Sequence, residues 1–336
     1  MKILLTGGTG FLGRRIAAEL APRHQLRLLV RPTASRERFP AGVEFATGDV
    51  TQPTSLKAAA AGCDAVIHAA ALVKIMAPPR DFDWVNVRGL QNALAAAEEV
   101  GAGRFVYVSS FMALGPTEGA PKGELNEAAD VADRVWINDY ERTKTLADRL
   151  ARRAIDEGAP VSIVYPGVIY GPGEMTEGNI VVRHVLDLVH KRLPALLGRA
   201  ERRWNYVHVG DVAAGVAAAL EKARPGKRYV LGGENVEQGE FYRLVEELTG
   251  VPVPKRRLPD GVARAAGALQ KGWARLRRTT PALTPDLVEV YRHDWAYSSA
   301  RAEKELGYQP RTLRAGLAET VAWLKESGQW PRKAAS

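Results

Sequence analysis

The first half of the chain alternates short, continuous apolar runs with longer segments in which apolar residues recur every three or four positions. Continuous runs are typical of strands buried on both faces of a parallel sheet, and the longer segments are typical of amphipathic helices. The predicted strands are residues 3–5, 25–30, 43–46, 64–67, 105–108 and 161–165, and the predicted helices are residues 14–20, 55–61, 87–100 and 140–157. This alternation predicts an α/β fold in which helices cover both faces of a parallel sheet.

From Gly171 the pattern changes. Glycine and proline cluster there, an amphipathic stretch follows at residues 180–189, and shorter apolar runs return at residues 205–211 and 228–231. Residues 301–310 precede a final amphipathic segment, and no internal repeat or low-complexity linker interrupts the sequence. We therefore expect a second structural unit that differs in character from the first.

Three glycines follow the first predicted strand. Gly7, Gly10 and Gly13 have the spacing Gly-x-x-Gly-x-x-Gly, and a predicted helix begins directly after them. Glycine at such positions permits a tight turn, close approach of the backbone to a pyrophosphate, and packing of the helix on the strand. The helix N-terminus then offers unpaired N–H groups to an anion. The stretch predicts a dinucleotide site.

The second predicted strand ends in Arg31, with Arg36 close behind. Dinucleotide-binding folds usually carry an acidic residue there, roughly 20 residues after the glycines, which binds the ribose 2′-hydroxyl. Cations at this place instead favour a 2′-phosphate. NADP(H) is therefore the favoured cofactor, and NAD(H) held by backbone groups is the alternative.

Tyr140 and Lys144 lie four residues apart in a predicted helix, so both side chains share one helical face. An ammonium beside a phenol favours the phenolate, which suits acid–base chemistry near neutral pH. The spacing is also typical of an ordinary solvated face, so the pair needs partners. Candidates lie where predicted strands end, at Asp49, Ala69 and Ser110, because ligands of parallel sheets bind at the carboxyl ends of the strands.

His68 stands beside small alanines at the end of a predicted strand, and we expect it to be a packed residue rather than a base. The six histidines and one cysteine show no spacing typical of zinc ligands, so no metal is expected.

Several motifs together resemble the extended short-chain dehydrogenase/reductase family, also called the NAD-dependent epimerase/dehydratase family. They occur in family order over nearly the whole chain, as Thr6–Gly13 (TGGTGFLG), 48–50 (GDV), 68–71 (HAAA), 86–89 (NVRG), 108–110 (VSS), 140–144 (YERTK), 165–167 (YPG) and 206–211 (YVHVGD). The resemblance is closest to the dihydroflavonol-reductase-like branch and its farnesol-dehydrogenase-like proteins, through residues 109–115, 140–144 and 165–173. It implies a Rossmann-type doubly wound sheet with a smaller C-terminal α/β lobe.

The resemblance implies a catalytic set of Ser110, Tyr140 and Lys144. Tyr140 would exchange a proton with the substrate oxygen, Lys144 would hold the nicotinamide ribose and lower the Tyr140 pKa, and Ser110, rather than Ser109, would bind the same oxygen. Asn86 would be structural or catalytic. Cofactor contacts would come from Gly7, Thr9, Gly10, Phe11, Leu12, Gly13, Arg31, Arg36, Asp49, Val50, Ala69, Ala70, Ala71, Tyr140, Lys144, Tyr165, Pro166 and Val168.

The resemblance also implies a division of the chain. Residues 1–168 would form the NAD(P)-binding Rossmann domain, to which residues 203–234 would return, while residues 169–330 would form mainly the substrate-binding lobe and residues 331–336 a tail. Candidate substrate contacts are Phe111, Met112, Tyr170, Asn179 and Trp204.

Trp204 marks a departure from the nucleotide-sugar members of the family, which carry an arginine for the diphosphate two residues before the tyrosine of the Tyr-Val-His-Val strand. An indole favours an apolar or aromatic substrate. Asn179-Ile180-Val181 does resemble part of the sugar-nucleotide site, so that alternative stays open.

The leading hypothesis is an NAD(P)(H)-dependent alcohol dehydrogenase or carbonyl reductase for a hydrophobic small molecule, such as an isoprenoid, a flavonoid-like compound or a sterol-like compound. The first alternative is a nucleotide-sugar epimerase or dehydratase with tightly bound NAD(P). The second is a non-catalytic NADP(H)-binding regulator, against which the intact Ser110, Tyr140 and Lys144 argue.

Composition adds bounds to this hypothesis. The net charge of +9, from 47 basic and 38 acidic residues, is spread along the 336 residues and does not indicate nucleic acid as the partner. Cys63 alone cannot form an intramolecular disulfide and fits a reducing compartment. We expect a cytoplasmic protein with no spanning segment and, by the resemblance, a homodimer.

One segment has a composition of its own. Residues 262–278 combine apolar Val262, Leu269, Trp273 and Leu276 with basic Arg264, Lys271, Arg275, Arg277 and Arg278, and no acidic residue occurs from 261 to 285. The pattern predicts an amphipathic helix. We interpret it first as a lid helix with a solvated basic face, and alternatively as a helix that contacts an anionic membrane.

Overall fold

Seven parallel strands form the central sheet of the computed structural model, which describes residues 1–120, 124–129, 134–176, 178–277 and 279–331. In chain order the strands of the described residues are β1 (Lys2–Thr6), β2 (Gln25–Val30), β3 (Glu44–Thr47), β4 (Ala65–His68), β5 (Arg104–Val108), β6 (Val161–Pro166), β7 (Val168–Tyr170), β8 (Arg203–His208), β9 (Arg228–Leu231) and β10 (Glu234–Glu237). The central order β3-β2-β1-β4-β5-β6-β9 confirms the predicted doubly wound Rossmann-type sheet. The strand order reverses between β1 and β4, which is where ligands bind in such sheets.

Helices flank this sheet on both faces, and further helices pack around the smaller part of the structure. The helices of the described residues are α1 (Phe11–Leu20), α2 (Pro53–Ala60), α3 (Pro79–Phe82), α4 (Gly89–Glu99), α5 (Phe111–Leu114), α6 (Asp139–Asp156), α7 (Ile180–Val189), α8 (Val209–Lys222), α9 (Gln238–Thr249), α10 (Asp260–Arg277), α11 (Pro285–Tyr291), α12 (Ala300–Leu306) and α13 (Leu313–Glu326). The predicted helix at residues 87–100 begins as a π-helical turn, Asp83–Arg88, that leads directly into α4.

Two apolar cores lie on opposite faces of the central sheet. Ile3 and Leu5 of β1 point into the core shared with α1 and α8, whereas Leu4 points into the core shared with α2, α4 and α6. This division follows from the period of two along a strand, because successive side chains point to opposite faces. Both cores are needed because a parallel sheet is covered on each side.

A second, three-stranded sheet has the order β10-β8-β7. The chain passes from the central sheet into it at Gly167, between the end of β6 and the start of β7. A Cβ at Gly167 would lie 2.3 Å from Oδ1 of Asn205 on β8, so only glycine allows β8 to approach this closely. The first strand of the smaller sheet, β7, therefore follows β6 of the central sheet after a single residue, Gly167.

Residues 203–234 divide between the two sheets. β9 pairs with β6 in the central sheet, and α8 packs against α1. β8 instead pairs with β7 and β10 in the smaller sheet. The segment from 301 to 310 contains α12, and α13 packs beyond it on α9. Of the tail predicted at 331–336, only residue 331 is among the described residues.

Candidate active site

The glycine turn after β1 forms a cradle with no room for side chains. Gly7 has φ of +72°, and a Cβ there would lie 2.6 Å from the carbonyl carbon of Ala69. A Cβ on Gly13 would lie 2.0 Å from the Gly7 carbonyl oxygen. Since Gly10 gives α1 no side-chain cap and the first turn holds no acidic residue, the backbone N–H groups there are left for an anion. The cradle fits the pyrophosphate of a dinucleotide.

Other predicted cofactor residues lie around this cradle. Thr9 and Leu12 are partly buried within the turn and the start of α1, and the ring of Phe11 contacts the backbone near Gly173. Ala70 and Ala71 follow β4, next to Ala69. The residues present thus fit an elongated dinucleotide along the carboxyl ends of neighbouring strands.

Asp49 stands beyond the end of β3, where its carboxylate is held in place. Its Oδ1 accepts hydrogen bonds from the backbone N–H of Thr51 at 2.9 Å and from the Thr51 hydroxyl at 2.8 Å. Val50 is buried, and its carbonyl accepts a hydrogen bond from Asn92 at 2.9 Å. Both residues are thereby fixed at the edge where the resemblance expects the adenine.

The two predicted cofactor cations follow β2. Arg31 is exposed directly after this strand. Arg36 donates a hydrogen bond to the hydroxyl of Thr47 at 2.6 Å, and its guanidinium lies 5.7 Å from the centre of the Phe45 ring. Because Val30 and Thr47 are paired neighbours on β2 and β3, the cations lie at the same edge of the sheet. This placement fits a phosphate on the adenosine ribose.

Ser110 and Tyr140 are brought together beyond the end of β5. Their side chains are neighbours, and the Ser110 hydroxyl acts to lower the pKa of the Tyr140 phenol. The Ser109 hydroxyl instead lies towards Tyr107, and both of these hydroxyl oxygens are buried without a hydrogen-bond partner among the described residues. This difference follows from the alternation of side chains in an extended chain, which sends consecutive residues to opposite sides. Ser110 also caps α5 by accepting a hydrogen bond from the Met112 N–H at 3.3 Å. The geometry therefore favours Ser110 over Ser109.

Burial dominates the electrostatics of Tyr140. It raises the pKa of the phenol to about 12, and the neighbouring Ser110 hydroxyl only partly opposes this shift. The Lys144 ammonium is directed at strand β5, where it donates to the Val108 carbonyl at 3.0 Å. The lowering of the Tyr140 pKa by Lys144 stays a prediction.

Lys144 itself is almost fully buried. Desolvation lowers the pKa of its ammonium to about 7, while the charge of Asp148 one turn further along α6 acts in the opposite direction. Its Nζ lies 5.3 Å from the centre of the Tyr107 ring. A buried cation with so few partners gains most from a polar ligand placed beside it.

The start of α6 is locked by groups that the sequence reasoning did not single out. Asn138 caps the helix by accepting a hydrogen bond from the Glu141 N–H at 2.8 Å, and the buried Glu141 carboxylate accepts one from the Ile137 N–H at 2.6 Å. Arg134 lies 2.8 Å from Glu141 and donates to the Met112 carbonyl at 2.8 Å. This clamp ties α5, which follows Ser110, to α6, which carries Tyr140. The spacing Asn-x-x-Glu is close to a capping box and was the available signal.

Asn86 has a structural set of partners. Its Oδ1 accepts a hydrogen bond from the Leu72 N–H at 2.7 Å, and its Nδ2 donates to the hydroxyl of Thr143 on α6 at 3.0 Å. The side chain is buried in the π-helical turn. Asn86 therefore holds the segment after β4 against the helix that carries Tyr140 and Lys144.

Two residues near the site face the interior. His68 is fully buried, and its Nδ1 lies 3.0 Å from the Thr6 hydroxyl. Burial lowers the His68 pKa to about 3, so it is a packed neutral residue as predicted. Tyr165 is also fully buried, next to Asp148 and Arg152, and burial raises its pKa. Its phenol thus faces α6, and the cofactor contact expected of Tyr165 stays a prediction. Pro166 and Val168 follow it, buried on either side of Gly167.

The candidate substrate residues separate into two groups. Phe111 and Met112 lie directly after Ser110, and the Phe111 ring is 5.3 Å from Trp295 and 5.8 Å from Tyr297. Asn179 is buried at the start of α7, where its Nδ2 donates to the Gly171 carbonyl at 3.2 Å. Its Oδ1 has no hydrogen-bond partner among the described residues.

Trp204 and Tyr170 form the second group and pack inside the lobe. The indole N–H of Trp204 donates to the His293 carbonyl at 3.2 Å, and its ring lies 4.6 Å from Tyr291. The Tyr170 hydroxyl donates to the Leu313 carbonyl at 3.4 Å. Both side chains are at most 5% exposed. Their size is accounted for by packing, because both polar atoms already have protein partners.

Comparison with known proteins decides the relationship of the chain. The model of the NAD dependent epimerase/dehydratase family matches residues 3–232, which include the glycine turn, Ser110, Tyr140 and Lys144. The chain belongs to this family. As a member of the NAD-dependent epimerase/dehydratase family, it is an extended short-chain dehydrogenase/reductase, as the motifs predicted.

Relatives match this family member along nearly their whole length. Sterol demethylase protein B of Methylococcus capsulatus is 32% identical, covering 98% of this chain and 99% of the relative. The 3β-hydroxysteroid dehydrogenase/Δ5-4-isomerase of Mycobacterium tuberculosis is 31% identical, covering 96% and 90%. A Synechocystis relative whose name refers to dihydroflavonol 4-reductase is 28% identical, covering 96% and 94%, in agreement with the predicted branch.

A solved structure has the same fold. The crystal structure of gox2253 superimposes with a TM-score of 0.82 at 34% identity, covering 98% of this chain and 99% of that one. The chain is thus an enzyme of the NAD(P)-dependent oxidoreductase and epimerase/dehydratase class.

Proposed function

We propose that the chain is an NAD(P)(H)-dependent alcohol dehydrogenase or carbonyl reductase for a hydrophobic substrate, with Tyr140 as the general acid and base. The observation that carries the proposal is the meeting of the Ser110 and Tyr140 side chains beyond the end of β5, with the Lys144 ammonium buried one helical turn away. Reduction of a carbonyl builds negative charge on its oxygen, which needs a hydrogen bond and then a proton. These side chains can provide both.

When bound, the nicotinamide cofactor supplies or accepts the hydride. Ser110 would donate a hydrogen bond to the substrate oxygen, and Tyr140 would deliver or remove the proton there. With a pKa of about 12, the Tyr140 phenol is protonated at neutral pH and is ready to act as an acid. Lys144 would bind the hydroxyls of the nicotinamide ribose.

The proposed substrate class rests on the groups around Ser110 and on the relatives. Phe111 and Met112 follow Ser110 directly and are apolar. Trp204 stands where nucleotide-sugar members carry an arginine, and neighbouring Arg203 is paired with Glu124 at 3.5 Å. Relatives named for sterol and steroid chemistry match over the full chain. Together these features favour an apolar alcohol or carbonyl compound of isoprenoid, flavonoid or sterol type.

NADP(H) is the proposed cofactor. The support is the pair of cations, Arg31 and Arg36, at the edge formed by β2 and β3. Guanidinium groups bind phosphate through parallel hydrogen bonds, which a ribose hydroxyl does not match. Arg31→Asp should therefore shift preference towards NAD(H), measured as the ratio of the two dissociation constants.

We also propose the domain division and the oligomeric state that were predicted from the sequence. Residues 1–168 would bind the cofactor and residues 169–330 would mainly bind the substrate, in a cytoplasmic homodimer. Light scattering on the eluting protein would report the oligomeric state directly.

The experiment that tests the proposal uses the purified chain. Thermal stability is compared with NADPH and with NADH. The absorbance of the reduced cofactor is then followed as it forms from oxidised cofactor with farnesol or cholesterol, and as it is consumed with dihydroquercetin. We expect stabilisation by NADPH and turnover of at least one compound, abolished in Tyr140→Phe. Equal turnover in the Tyr140→Phe variant would overturn the assignment.

Asn179 favours a second candidate, a nucleotide-sugar epimerase or dehydratase. Its buried Oδ1 lacks a partner among the described residues, and the stretch Asn179-Ile180-Val181 resembles part of a sugar-nucleotide site. This function predicts nicotinamide that co-purifies with the protein and conversion of UDP-glucose without added cofactor. The dehydrogenase predicts neither.

A further inference from the structure

The outward face of α10 carries a stripe of exposed apolar side chains. Val262, Leu269, Trp273 and Leu276 are 56%, 77%, 57% and 78% exposed. At 3.6 residues per turn these four positions fall within about 60° of the helix circumference. Elsewhere among the described residues, large apolar side chains this exposed are scattered singly. A contiguous stripe of this kind marks an interaction surface.

The opposite face of α10 is fixed to α11. Ala263, Gly267 and Ala274 are buried there, and a Cβ on Gly267 would lie 2.8 Å from the Thr284 carbonyl carbon. Three ion pairs join α10 to α11 and its C-terminal end, Asp260–Arg292 at 3.2 Å, Arg264–Glu289 at 3.8 Å and Lys271–Asp286 at 2.9 Å. The helix is therefore held with its small residues inward, and the apolar stripe remains exposed.

The last turn of α10 adds positive charge to the stripe. The Arg277 guanidinium lies 4.3 Å from the centre of the Trp273 ring. Arg275 is exposed and has no ion-pair partner among the described residues, and Arg278 lies outside the described residues. No acidic residue occurs from 261 to 285, and the flanking carboxylates of Asp260, Asp286 and Glu289 are already paired with cations. Exposed cations beside tryptophan and leucine match the surface of a bilayer that contains anionic lipids.

We propose that the outward face of α10 docks on the surface of a membrane containing anionic lipids. Leu269, Trp273 and Leu276 enter the boundary between headgroups and acyl chains, and Arg275 and Arg277 bind the lipid phosphates. No helix among the described residues is long and apolar enough to cross a membrane, so the contact is peripheral. This interaction goes beyond the proposed reaction and does not depend on it.

The charge of α10 disfavours a second copy of the chain as the binding partner of this surface. A second α10 packed on the first would add further cations and offer Arg275 and Arg277 no acidic residue from positions 261–285. Like charges at close range oppose such a contact. An anionic lipid surface supplies the missing negative charge.

Co-sedimentation with vesicles tests the proposal. The full chain is mixed at low salt with vesicles of phosphatidylcholine alone, or of phosphatidylcholine with phosphatidylglycerol. We expect binding to the anionic vesicles at least about tenfold stronger than to the neutral ones, and a loss of most of that difference in high salt. Absence of binding to anionic vesicles at low salt overturns the proposal.

Matched variants separate this surface from general charge and hydrophobicity. Arg275→Glu/Arg277→Glu should weaken vesicle binding by about tenfold or more, whereas Arg153→Glu/Arg243→Glu changes net charge equally at exposed sites on α6 and α9. Leu269→Ser/Trp273→Ser should also weaken it, whereas Trp84→Ser removes a tryptophan of similar exposure elsewhere. Equal losses in test and control variants would contradict docking through α10. A second result would also contradict it: the parent chain does not bind vesicles but forms dimers in a concentration-dependent way, and Leu269→Ser/Trp273→Ser is monomeric under the same conditions.

Discussion

The region around the central sheet and the region around the smaller sheet differ in what fixes their candidate functional residues. Around the central sheet, the backbone sets the positions: Gly7 and Gly13 have no room for a Cβ, and Tyr140 and Lys144 share a face of α6. Around the smaller sheet, large side chains such as Trp204 and Tyr170 are positioned by packing against many distant residues. A motif in the first region therefore identifies geometry, whereas a residue type in the second does not identify a pocket.

The largest expected effect comes from Tyr140→Phe. Removing the hydroxyl takes away the proton donor while leaving the ring, so turnover should fall by about a thousandfold. Cofactor affinity should stay within a few-fold, since the glycine turn is untouched. Steady-state kinetics and cofactor titration measure the two quantities, and a joint loss of both would argue for a structural role instead.

Gly13→Ala should have the next largest effect. The added Cβ would meet the Gly7 carbonyl oxygen at 2.0 Å, so the turn must open and lose its fit to a pyrophosphate. We expect cofactor affinity to fall by about a hundredfold, which corresponds to roughly 3 kcal/mol. Gly42→Ala is a control for glycine replacement as such, at a positive-φ position with open space around it. Affinity unchanged in Gly13→Ala would exclude the turn as the cofactor site.

Trp204→Phe tests the other side of the comparison. The variant loses the hydrogen bond to the His293 carbonyl and part of the packing on Tyr291, so stability should fall by about 1–3 kcal/mol. The kcat/KM ratio between two hydrophobic substrates should stay within about threefold, because the indole packs inside the lobe. Denaturant unfolding and paired kinetics measure these. A large change in the ratio of the two kcat/KM values, with an unchanged free energy of unfolding, would instead indicate that Trp204 contacts the substrate.

Lys144→Met should give a smaller effect that depends on pH. The folded-state pKa of about 7 is depressed below the ordinary lysine value, so burying the protonated amine costs stability most fully below pH 7. As pH rises above 7 the folded chain releases that proton before the unfolded chain does, and the cost shrinks. Without cofactor, the difference in Tm between variant and parent should therefore favour the variant more at pH 6 than at pH 9. Equal differences at both pH values would contradict the buried-ammonium assignment.

Much of the first region could be predicted from sequence because its signals are local. The glycine spacing, the Tyr140–Lys144 offset and the apolar runs of the strands each depend on a few neighbouring residues. The direction of the Lys144 ammonium could not be predicted, since it depends on the Val108 carbonyl of a separate strand. The burial of Trp204 likewise depends on Tyr291, which is distant in sequence. The direction and burial of these side chains depend on contacts between segments that are far apart in the sequence.

The most direct test of the central claim follows the hydride itself. A panel substrate in its carbonyl form is reduced with cofactor that carries two deuterium atoms at nicotinamide C4, so that transfer from either face carries a label, and the product mass is measured. We predict an alcohol one mass unit heavier than the product made with ordinary cofactor, formed by the parent chain and not by Tyr140→Phe. An unlabelled product, or an isomer of unchanged mass with no net consumption of cofactor, would contradict the account.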